Sequence, residues 1–171
     1  MVRKSEVSLP RRSMLEVVAT LGAVAALGVR PALGATEQGV VGAWTLSSFL
    51  IDEGKESEKP RFGLNPVGYL LYTDSGRMSA VLAGTHRALL EPPPSKVNEQ
   101  CAASVADFLA YAGKYEIKGD RVFHHVEVSV FTSLVGTTLE RRFKLEGDTL
   151  TIRTLPPEIW GTSSVLIWKR A

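Results

Sequence analysis

From Val40 onward, apolar and polar residues alternate with a period of two in short stretches separated by turn residues. That pattern is the signature of antiparallel strands that each bury one face. Eight stretches are predicted as strands: Val40–Ile51, Gly68–Thr73, Arg77–Leu82, Tyr111–Lys118, Arg121–Phe131, Thr137–Leu145, Thr149–Thr154 and Val165–Arg170. Asp74-Ser75-Gly76, Gly119-Asp120 and Glu146-Gly147-Asp148 join successive stretches and supply the backbone conformations that tight hairpins need. Eight strands close a small barrel whose interior holds side chains or one small ligand, so an all-β, antiparallel up-and-down barrel is expected. Lys96–Ala110 breaks the pattern. There Val97, Cys101, Ala102, Val105, Phe108 and Leu109 recur at helical spacing, and Ser95 follows Pro92-Pro93-Pro94 as an N-cap. One amphipathic helix across a barrel mouth is predicted. Lys55–Arg61 and His86–Pro94 read as loops.

The period also assigns faces. Along Thr137–Leu145, Thr138, Glu140, Arg142 and Lys144 form a solvent face, which turns Leu139, Arg141, Phe143 and Leu145 inward. Leu166, Trp168 and Arg170 share a face of the last strand. Arg121–Phe131 is ambiguous. One face carries Val122, His124, Val126, Val128 and Val130, the other Phe123, His125, Glu127, Ser129 and Phe131, and either suits a core.

Residues 1–16 are polar and basic, Val17–Val29 is a weakly apolar run, and Ala32-Leu33-Gly34 offers small residues for cleavage. This is the three-part layout of an export leader. Arg11-Arg12-Ser13-Met14-Leu15, with Arg30 after the apolar run, resembles a bacterial twin-arginine signal, although Pro10 and Glu16 depart from its usual residues. A general secretory signal or a short anchor is the alternative, but a run of about 13 residues falls below the roughly 17–25 a membrane-spanning helix needs. The expected division is a signal over 1–34 and a barrel domain over 38–171, with a periplasmic or secreted location.

Charge sharpens the picture. The chain of 171 residues carries 20 Lys and Arg against 18 Asp and Glu. Five of the basic and two of the acidic residues lie within 1–34, leaving 15 basic against 16 acidic beyond it. The excess of positive charge belongs to the leader, so no nucleic-acid partner is expected, nor a membrane partner for the mature domain. One cysteine excludes an intrachain disulfide framework and a multi-Cys zinc site.

Five ordered stretches resemble the bacterial and fungal lipocalin-like domain family over residues 38–170. They are Val41-Gly42-Ala43-Trp44-Thr45-Leu46, Pro66-Val67-Gly68-Tyr69-Leu70-Leu71-Tyr72-Thr73, Gly76-Arg77-Met78-Ser79-Ala80, Tyr111-Ala112-Gly113-Lys114-Tyr115 and His124-His125-Val126-Glu127. The resemblance implies a calycin barrel with a central cavity, and a first-strand Trp44 packed against Arg170 or Lys169 to close the barrel bottom. It brings no catalytic set.

Candidate chemistry centres on His125 and Glu127, two residues apart on one strand face, where an imidazole and a carboxylate are within reach of each other. Facing inward, they would line the cavity with Ser129 and Arg141, with Glu127 pairing Arg141 or orienting His125. Such a site could anchor a ligand, or move a proton in a cofactor-free isomerisation or cyclisation. It could equally be a buried polar pair with no further role. Tyr69, Tyr72, Tyr111 and Tyr115 offer apolar bodies with polar tips that suit a cavity wall. Arg77 could meet a ligand carboxylate at the mouth. Cys101 reads as a packed residue of the helix. His124 and His125 point to opposite faces and cannot share one metal ion. No metal and no cofactor is expected. The expected partner is a small hydrophobic molecule, held by a monomer or homodimer.

Overall fold

Each alternating stretch is a strand in the computed structural model, which describes residues 39–85, 87, 105–155 and 162–171. The strands are β1 (Gly42–Ile51), β2 (Lys59–Pro60), β3 (Val67–Tyr72), β4 (Arg77–Ala83), β5 (Phe108–Lys118), β6 (Arg121–Ser129), β7 (Thr138–Glu146), β8 (Thr149–Thr154) and β9 (Ser164–Arg170), with a 3-10 turn at Thr132–Leu134. Every strand pairs antiparallel with its neighbour in the order β1-β3-β4-β5-β6-β7-β8-β9, and β9 returns to β1. The sheet therefore closes into an eight-stranded barrel. Only the two-residue β2 stands outside the ring, against the end of β1.

The helix expected over Lys96–Ala110 requires correction at its C-terminal end. Phe108, Leu109 and Ala110 open β5 and pair with Ala83, Leu82 and Val81 of β4. Leu109 thereby joins Tyr111, Gly113 and Tyr115 in a period of two, which here overrides the helical spacing. Residues 96–104, Cys101 among them, lie outside the described residues, as do His86 and the leader.

Two bulges reset the alternation. In β1 the register shifts between Leu46 and Ser48, so Trp44 and Leu46 are buried before the shift and Phe49 and Ile51 after it. In β6, Ala112 of β5 faces Val128 while Gly113 faces Val126, which leaves Glu127 as the extra residue. A bulge of this kind bends the strand and changes which residues face the core. Val122, His124 and Val126 point inward, whereas Val128 is 61% exposed.

The barrel bottom is built as the resemblance implies, with Arg170 rather than Lys169. Trp44 is fully buried, its indole N–H donates to the Val40 carbonyl at 2.8 Å, and the Arg170 guanidinium sits 4.2 Å from its ring centre. Arg170 also donates to the Gly39 carbonyl at 2.7 Å, while Lys169 reaches the Thr149 hydroxyl. A cation over an indole face contributes about 0.5–2 kcal/mol, depending on desolvation.

Candidate ligand-binding site

A cavity opens among the inward side chains away from Trp44. Its walls are mostly apolar, with Phe49, Leu70, Leu82, Leu109 and Leu139 among them, and its polar lining includes Tyr111, His124, Arg141 and Trp168. The cavity volume is about 50 Å³. One buried water needs about 10–15 Å³ of such space. The cavity therefore takes several waters, or a small organic molecule in their place.

His124 is the polar centre of this wall. It is 1% exposed, and its ring bridges two tyrosines: Nε2 lies 2.7 Å from the Tyr72 hydroxyl and Nδ1 3.0 Å from the Tyr111 hydroxyl. Burial, with the positive Arg141 and then His125 nearby, pushes its pKa from an ordinary 6.5 down to about 3. The ring is thus neutral, with one nitrogen donating and the other accepting. Among the described residues Tyr72 has its hydrogen bond only with His124, so the tautomer in which Tyr72 donates to Nε2 and Nδ1–H donates to Tyr111 keeps the Tyr72 proton paired. Burial also raises both tyrosines above their ordinary range, opposed in each case by Arg141 and reinforced at Tyr72 by its neighbours Tyr111 and Tyr115.

Arg141 reaches the interior from β7, as its alternation predicts, and donates to the Glu140 carbonyl at 2.9 Å. Burial lowers its pKa, and the two tyrosines Tyr111 and Tyr72 oppose that shift. Among the described residues no carboxylate lines the cavity or forms an ion pair with it.

The expected His125–Glu127 pair is not in the cavity. The β6 register turns His124 inward and His125 outward, where His125 meets Thr138 Oγ1 at 2.9 Å and Glu116 Oε1 at 3.2 Å. Glu127, the bulge residue, is exposed and pairs with Arg77 instead of Arg141. Ser129 caps backbone, donating to the Ala110 carbonyl. Of the four tyrosines, Tyr111 lines the cavity and Tyr72 stands behind His124. Tyr115 is buried against Tyr72 with ring centres 4.7 Å apart and donates to the Thr73 carbonyl. Tyr69 is on the outer surface, 61% exposed. Sequence reasoning missed His124 and Trp168 as cavity groups. A signal existed for Trp168, which shares the inward face of the last strand with Leu166.

A closed antiparallel barrel with an apolar cavity and a few polar wall groups is the architecture of a calycin. Residues 41–171 match the model of the lipocalin-like domain, and the chain belongs to that family. It is also similar to the 4'-hydroxy-3'-methoxypropiophenone carrier protein of Aspergillus oryzae, with 30% identity over 87 residues that cover 44% of this chain and 78% of that one.

Proposed function

We propose that this chain is a carrier that holds one small, mostly apolar aromatic molecule inside the barrel, after export through the leader at 1–34. The observation that carries this reading is the cavity: apolar walls with a handful of hydrogen-bonding groups, the usual composition of a small-molecule site. The similar fungal carrier is named for an aryl ketone, and we take aryl carbonyl compounds as the ligand class. A flat ring suits walls of Leu and Phe, and a carbonyl oxygen suits Tyr111 and Arg141.

Turnover is less well supported. His125 and Glu127, the pair on which an isomerase or cyclase would depend, stand outside the barrel. His124, inside it, with a pKa near 3, is a weak base at neutral pH.

Titration of the purified protein with 4'-hydroxy-3'-methoxypropiophenone, followed by tryptophan fluorescence, tests the reading. Saturable binding of one molecule is expected, lost in Ala80→Phe, which fills the cavity from β4. No saturable signal, or binding indifferent to that substitution, would remove the carrier reading. Fractionation that finds the protein in the host cytoplasm would remove the export part.

A further inference from the structure

We infer that the cavity is an oxyanion site: it holds its aromatic ligand in the ionised form, as an aryl oxyanion. The inference deepens the carrier reading and rests on it.

Three polar groups of the wall carry N–H or O–H protons with no acceptor among the described residues, so each presents a donor to the cavity. Trp168 is 2% exposed, and its indole N–H has no hydrogen-bond partner among the described residues. A buried N–H left unpaired costs about 1–3 kcal/mol. Arg141 brings a guanidinium to the same cavity, with one N–H used on the Glu140 carbonyl and no carboxylate in reach among the described residues. Arg141 is partly buried, and a cation drawn partly out of water is stabilised when a counter-charge reaches it. Tyr111 is the third. Its oxygen accepts from His124 Nδ1–H, so its own hydroxyl proton is free to point into the cavity.

His124 fixes that polarity. Tyr72 has its hydrogen bond only with His124 among the described residues, so donating to Nε2 spares it a stranded proton. The imidazole then must donate at Nδ1, which turns Tyr111 into a donor toward the ligand. The chain Tyr72, His124, Tyr111 ends on an O–H aimed at open space. The hydroxyls of Thr154, Thr162 and Ser164 also line the cavity and adapt either way. A neutral ketone would satisfy one donor, but leaves the charge of Arg141 unanswered. An anionic oxygen answers both.

The test uses three probes of similar shape on the full protein: 4-nitrophenol, 4-nitrobenzoate and the uncharged ether 4-nitroanisole. At a pH where the first two are ionised, at least one is expected to bind about tenfold or more tightly than 4-nitroanisole, as charge-assisted hydrogen bonds allow. A preference confined to 4-nitrophenol identifies a phenolate site, and one confined to 4-nitrobenzoate a carboxylate site. Bound 4-nitrophenol should ionise at lower pH than the free compound, read from its visible absorbance. His124, Tyr72 and Tyr111 do not titrate across that window, so the change belongs to the ligand. In Arg141→Met, which keeps an apolar stem, the ratio of anion to ether affinity should fall toward one. Equal or tighter binding of 4-nitroanisole, or ionisation of bound 4-nitrophenol at higher pH, overturns the inference and leaves the carrier reading standing. If none of the three binds while the aryl ketone does, the inference again falls alone. If the ketone fails as well, both fall.

Discussion

His124 is uncharged because it is surrounded, and that has a measurable cost in acid. In the unfolded chain its imidazole gains a proton near pH 6.5, whereas in the fold it resists protonation down to about pH 3. Between those values the unfolded state binds the additional proton, so lowering the pH favours unfolding. The stabilisation is complete above about pH 6.5 and is lost as pH falls toward 3, a swing on the order of a few kcal/mol. Urea unfolding of His124→Gln should show a shallower decline of stability from pH 7 to pH 4 than the parent. Identical slopes would mean that His124 is not the buried neutral group described. The sequence separated His124 from His125 by face but could not say which faced inward. Phe123 and Phe131 make one side of that strand as apolar as the valines make the other, so hydrophobicity alone had no vote.

At the level of elements, what decides the matter is the bulge at Glu127. All eight strands of the ring and their hairpin turns were legible in the sequence, because alternation and turn residues are local signals. A bulge is a relation between two strands, and one strand's sequence does not carry it. Continuing the period through Glu127 puts Val128 and Val130 on the same face as His124, whereas both are on the outside. The partner strand does hold a trace of it. A β-carbon on Gly113 would lie 1.9 Å from the His125 carbonyl oxygen, so only glycine allows β5 and β6 to approach this closely. Gly113→Ala must push the strands apart and should cost about 1–3 kcal/mol, the range for overpacked sites. Chemical denaturation measures it, and a loss under about 0.5 kcal/mol, typical of a surface change, would rule out the tight approach. The cavity would suffer too, since Tyr111 and His124 sit on these two strands.

In the barrel domain, strands that are neighbours in the ring are also successive ring strands in the chain, save β1 and β9, whose pairing closes the ring. The resemblance named Trp44 with a basic partner at this closure, and the structure supplies Arg170, which meets backbone as far away in sequence as Gly39, 131 residues distant. Every other neighbouring pair in the ring is far closer in sequence, the longest connection being the 24 residues between β4 and β5. This seam must bring together the two ends of the domain, and the entropy of closing a loop grows with its length. The seam is therefore the contact with least reason to exist in the folding transition state and most reason to form after it. Interactions of that kind govern how slowly a protein comes apart more than how fast it assembles. Arg170→Ala, losing about 1–2 kcal/mol of cation–π and carbonyl contacts, should accelerate unfolding by about tenfold and leave the refolding rate within about twofold. Stopped-flow kinetics would show the reverse if the ends meet early. A seam that zips last also opens first, so the lifetime of the closed barrel is set by the residues farthest apart in the domain.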